Sequence, residues 1–103
     1  MSMTVVVTRN VPDRFRGFLA SCMLEVAPGV YTNPRLSPSV RERVWQVLSG
    51  WFAFSEGASL VMVWNDGREP SGQGLLVLGE PPRRLLDYDG VILGHLAKEG
   101  ELS

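Results

Sequence analysis

The feature that most constrains this chain is a short run, Met3 to Thr8 (MTVVVT), with a bulky or β-branched side chain at every position. A half-buried strand alternates apolar with polar, whereas a continuous short run suits a central strand covered on both faces. β-Branched side chains favour that pleated backbone over a helix. Two later runs are built the same way, Ala58 to Trp64 (ASLVMVW) and Gly74 to Leu78 (GLLVL). The chain must therefore cover a sheet on two sides.

Part of that cover lies between the strands. Phe15, Phe18, Leu19, Cys22 and Val26 recur at helical spacing, with Asn10 as a candidate cap and Pro28-Gly29 as the stop. Gly29 to Asn33 then reads as a short strand, and Pro34 to Pro38 as a turn. Ser37 followed by Pro38 marks a second helix start. Its apolar stripe is Val40, Val44, Val47, Leu48 and Trp51, with Arg41 and Arg43 off that face. Asn65-Asp66-Gly67 and Asp89-Gly90 are turn signals. Glu80 to Arg84 reads as a Pro-stiffened basic connection, and Val91 to Leu96 as a fifth strand. The order β-α-β-α-β-β-β gives an α+β, ferredoxin-like sandwich, with two helices on one face of a mainly antiparallel sheet. The other face stays apolar, and in a chain of 103 residues a second copy is the obvious cover. The expected unit is a homodimer of one domain, residues 1–96, with a flexible acidic tail at 97–103.

Composition narrows the class. One cysteine excludes an internal disulfide, and no His/Cys cluster offers a zinc site. No apolar run reaches the length of a membrane span, and no basic segment precedes an apolar one at the N-terminus, so the expectation is a cytoplasmic protein without a membrane partner. The net charge of −1 hides a division. Residues 1–50 carry six arginines against three carboxylates, and residues 51–103 carry four basic groups against eight acids. Nine of the ten basic residues are arginine, whose planar fork grips phosphate and keeps its charge at any working pH.

Catalytic constellations are scarce. Cys22 belongs to an apolar stripe, with only His95 available to activate it. No phosphate-binding glycine loop is present. Asp66 and Glu69 share one loop and Asp87 and Asp89 another, positions that turn chemistry explains. Where an acid would suit catalysis, at the end of the first strand, the chain has Arg9. The arginines are the sharper signal. Arg14 and Arg16 lie in the first turn of the first helix, where an acid would suit the helix dipole better. Arg83 and Arg84 ride the stiff connection. Doubled by a twofold axis, these clusters would make a spaced positive track for a duplex backbone.

The segments MSMTVVVTRNVPDRFRGFLA, MLEVAPGVY, SVRERVWQVL, LVMVW and PPRRLLDYDGV, in that order, resemble one family. It is the small CRISPR-associated adaptation protein (Cas-two) family, in its type I-E branch, and the similarity runs from residue 1 to about residue 96. The resemblance implies a homodimer of ferredoxin-like subunits that bridges two integrase dimers, captures a short DNA duplex and supports its insertion as a new spacer. It implies that Arg14, Arg16, Arg83 and Arg84 touch the DNA backbone, with Asn10 at the adjoining turn. It further implies that the C-terminal strand region, including Asp89, Val91 and Leu93, docks the integrase. Family members often carry an acid at the end of the first strand, credited with holding a divalent metal for nuclease activity. Arg9 stands there in this chain and would extend the phosphate patch instead. The expectation is therefore a non-catalytic DNA-binding scaffold that needs no cofactor. The alternative is a Mg²⁺-dependent endoribonuclease or DNase of the same family.

Overall fold

Strand β1, Ser2–Arg9, sits in the middle of the sheet with a neighbour on each side. The computed structural model describes residues 2–53 and 57–79, and the backbone of two further strands at Arg83–Tyr88 and Val91–Leu96. After β1 come helix α1 (Asp13–Ala20), strands β2 (Leu24–Ala27) and β3 (Val30–Leu36), helix α2 (Pro38–Trp51), and strands β4 (Ser59–Asn65) and β5 (Gln73–Gly79). These five strands form one sheet in the order β2-β3-β1-β4-β5, with every neighbouring pair antiparallel. Each helix thus joins two like-directed strands that flank an antiparallel third, the ferredoxin-like arrangement, with β5 added at one edge. The last two strands, β6 (Arg83–Tyr88) and β7 (Val91–Leu96), pair with each other as a separate ribbon.

Register separates the two faces of the sheet. Val6 lies opposite Tyr31 on β3 and Met62 on β4, and all three are fully buried. They join Leu60, Phe15 and Leu19 of α1, and Val44 and Leu48 of α2 in one core. Complete burial of a side chain such as Phe15 is worth about 1.5–3 kcal/mol. The odd-numbered residues of β1 point the other way. There Met3 is 49% exposed, Val7 is 37% exposed, and Val5 with Val61 and Val63 of β4 is half-buried. Both faces are apolar, as the unbroken runs require, but only one is covered by the chain's own helices.

Helix α2 starts where the sequence places it. Ser37 Oγ accepts the Val40 N–H at 3.3 Å, and Pro38 occupies the first turn. Its buried stripe, however, is Arg41, Val44 and Leu48, while Val40 is 44% exposed.

Helix α1 is shorter than its apolar spacing suggests. It ends at Ala20 with Ser21 as its cap, so Cys22 and Val26 lie beyond it. Residues 24–27 turn into an edge strand because Pro28-Gly29 closes a tight hairpin onto β3. Gly29 adopts φ 77°, and a Cβ there would meet the Thr8 carbonyl oxygen at 2.7 Å. The helix expected as far as Val26 is thus a helix followed by a hairpin strand. Asn10 does not cap it either, since the cap position is Pro12, with no side-chain bond.

The expected turn at Pro34 is part of β3. The β1–β3 register slips between Ser2 and Thr4, so that Pro34 and Arg35 fall opposite Met3. A bulge is one of the few places where a proline fits inside a sheet. Arg83–Tyr88, expected partly as a connection, is a strand. The Asp89-Gly90 turn and the 97–103 tail lie outside the described residues. No helix among the described residues is long and apolar enough to cross a membrane.

Candidate nucleic-acid interface

The first turn of α1 displays two guanidiniums on either side of a buried ring. Phe15 is the inward residue, so Arg14 and Arg16 leave the helix about 200° apart and both are exposed. The structure does not bring them together. It gives each its own support.

Arg14 leans on the far end of α2. Its Nη2 donates to the Trp51 carbonyl oxygen at 3.2 Å, and its guanidinium carbon lies 4.9 Å from the centre of the Trp51 ring. Trp51 in turn meets Phe15 and Phe18 edge-on at 5.8 and 5.6 Å. A cation at a helix C-terminus complements the dipole, and stacking on indole adds to it. Arg14 therefore joins the two helices while presenting charge to solvent.

Arg16 leans the other way, toward β2. Its Nη2 lies 3.5 Å from Glu25 Oε2. The same Oε2 accepts the Gly29 N–H at 3.0 Å, the main reason the Glu25 carboxyl is held below its usual range. Beneath this pair, burial pushes the Tyr31 phenol up. Sequence reasoning missed Trp51, Glu25 and Tyr31 as neighbours of the arginines. A local signal existed for one of them, since Glu25 precedes a Pro-Gly turn whose free N–H needs an acceptor.

The other expected residues lie elsewhere. Arg9 ends β1 opposite Ser59, and alternation places it on the open face with Val5 and Val7, away from the helices. Asn10 takes a left-handed backbone, φ 54°, which asparagine tolerates. Its Nδ2 donates to the Gly57 carbonyl oxygen at 3.2 Å, pinning the β1–α1 turn to the segment before β4. Arg83 and Arg84 pair with Leu96 and His95 in the β6–β7 ladder, and Val91 and Leu93 pair with Tyr88 and Leu86. Asp89 lies outside the described residues.

Arg41, expected off the apolar face of α2, faces inward instead. Arg41 is 6% exposed, with its guanidinium carbon 4.2 Å over the Trp64 ring. Trp64 reaches it because Gly74, its cross-strand partner, has no Cβ and lets the indole lie across it. Trp64 Nε1 also donates to Asp66 at 3.4 Å. The Asp66 carboxylate takes Arg68 Nε and Nη2, both at 3.1 Å, and the Arg68 N–H at 3.0 Å. These bonds to Arg68 hold the Asp66 pKa down to about 2. Asp66 is thus the turn residue that its Asn-Asp-Gly setting suggests. The Arg41, Val44, Leu48 spacing was the available sign that Arg41 faces inward.

Cys22 lies just past α1, half-buried, and burial pushes its thiol up, which disfavours the reactive thiolate.

A cleft of about 250 Å³ opens at the end of β1, lined by Thr8, Asn10, Val11, Asp13, Arg16, Pro28 and Gly29. A Mg²⁺ site for nuclease chemistry needs oxygen ligands with carboxylate charge among them. Among the described residues Asp13 is the only carboxylate in the lining, it shares the cleft with the Arg16 guanidinium, and the Thr8 hydroxyl is engaged with the Gly29 carbonyl at 3.1 Å. That donor set does not fit the ion. Among the described residues no three His, Cys, Asp or Glu side chains gather in a way that could hold a metal.

Comparison with protein-family models agrees with the topology. Residues 3–93 match a family described as CRISPR-associated protein (Cas_Cas2CT1978).

Proposed function

From the premise that this chain belongs to that CRISPR-associated family, we propose that it is a non-catalytic scaffold subunit of spacer acquisition. It works as a homodimer, closed through the open sheet face. It binds the backbone of a short DNA duplex without reading sequence and bridges integrase dimers.

The observation that supports this reading most is the pair of exposed guanidiniums on the flanks of α1, each held in place by a neighbour. A cation pre-positioned on a rigid helix loses less side-chain freedom when it meets a phosphate than one on a loose loop. In a twofold dimer the pair appears twice, joined by Arg9 near the open face and by Arg83 and Arg84 from the β6–β7 ribbon. Integrase docking is assigned to the C-terminal region, with Asp89, Val91 and Leu93.

The test is the salt dependence of duplex binding. Each phosphate contact contributes about 0.9 to the slope of log K against log salt. Arg14→Ala with Arg16→Ala should lower the slope by about two units and weaken all duplex sequences alike. An unchanged slope would remove the assignment. Light scattering on the protein with its integrase and a duplex should give one species, holding one dimer of this chain and two integrase dimers.

A further inference from the structure

The Tyr31 hydroxyl is fully buried, and although Arg16 and Glu25 both act on it, neither makes a hydrogen bond of good geometry with it. Buried hydroxyls are normally satisfied, so an orphan calls for an explanation. Tyr31 is the direct cross-strand partner of Glu25 on the β2–β3 ladder. Both contacts of the Glu25 carboxylate, with the Arg16 guanidinium and with the Gly29 N–H, fall on Oε2. Among the described residues no bond of good geometry falls on Oε1. An acceptor with room for a further bond therefore sits across the ladder from a donor without a well-formed one, and the cation above them is 58% exposed.

We propose that Glu25 is a catch on Arg16, occupying the guanidinium until a nucleic-acid phosphate displaces it, after which the freed carboxylate accepts the Tyr31 hydroxyl. This rests on the duplex-binding reading and adds a regulated arm to it. The exchange is balanced in contacts. Arg16 gives up one long contact at 3.5 Å and can gain a two-pronged grip on phosphate, the stronger geometry. Glu25 stays behind because the Gly29 N–H anchors it. Tyr31 gains the well-formed bond it lacks. Among the described residues Arg14 has no such competitor, since it is held by a neutral carbonyl and a ring. The two arms are therefore unequal, one always available and one released only by an anion strong enough to win it.

The experiment is a double-mutant cycle, read by fluorescence anisotropy of a labelled short duplex at fixed salt. Glu25→Gln keeps an acceptor for Gly29 and removes the charge. It should tighten binding about two- to fivefold, the range of an exposed ion pair. In an Arg16→Ala background the same change should leave binding unaltered. Tyr31→Phe should weaken binding about two- to tenfold, the range of one hydrogen bond. It should also leave the melting midpoint of the free protein equal or higher, because an unsatisfied hydroxyl is lost.

Weaker or unchanged binding by Glu25→Gln overturns the catch. So does a gain that persists without Arg16, which marks plain long-range repulsion. Parent-like binding by Tyr31→Phe overturns the exchange. If Arg16→Ala binds the duplex as the parent does, the catch alone falls, whereas a parent that ignores the duplex removes the duplex reading and the catch with it.

Discussion

Leu60 and Val61 are neighbours on β4, yet they belong to different environments. Leu60 points toward the helices and is fully buried, whereas Val61 points to the open face and is only half-buried. The same division runs along β1, between Val6 and the pair Val5 and Val7. The side chains on both faces are of one kind, so hydrophobicity does not say which face is served from within the chain. What distinguishes them is the source of the cover. Phe15, Leu19, Val44 and Leu48 supply it on one side. On the other, the apolar surface is an invitation to association.

Two perturbations probe that contrast. Leu60→Ala should cost about 2–5 kcal/mol, since it opens a cavity beneath both helices, and urea unfolding would measure it. A loss under 1 kcal/mol would mean that the covered face is not the core. Val61→Lys should change the stability of the isolated subunit by under about 1 kcal/mol, as outward-facing substitutions do. Its signature is in mass, with the parent sedimenting as a dimer and the variant as a monomer. A variant that stays dimeric, or one that unfolds as readily as Leu60→Ala, would erase the distinction between the faces.

The smallest effect concerns Asp66, where β4 leaves the sheet. Its folded pKa, about 2, lies below the ordinary 3.8. Its contribution is therefore present above the ordinary value and is lost as pH falls through 3.8 toward 2. The Asp66→Asn variant should be the less stable protein at neutral pH and should converge with the parent in acid. Parallel unfolding curves across that window would contradict the Arg68 contacts as the cause.

Much of this architecture was legible in the residues. The unbroken apolar runs mark β1, β4 and β5, and Ser37-Pro38 marks the start of α2 within one residue. Helical spacing misleads after Ala20, because Cys22 and Val26 continue a period that the backbone abandons. A tight turn at Gly29 and the availability of β3 as a partner outweigh it. Arg41 misleads for a related reason. Charge suggests solvent, but a guanidinium stacked on Trp64 is favourable under cover, and that indole comes from a strand far along the chain. The arginines of the candidate interface were visible as residue types. Their supports were not, since Trp51 and Glu25 become neighbours of α1 only after α2 and the β2–β3 hairpin have packed.

The central position of β1 has a cost in time. It is made before either of its sheet neighbours, and the second of them, β4, begins only at Ser59. Translation at about 5–20 residues per second leaves roughly 3–11 seconds in which a strand sticky on both faces waits with an unpaired edge. A nascent chain of this design depends on being kept apart from its neighbours on the same message, and crowded translation is where it would first be lost to aggregation.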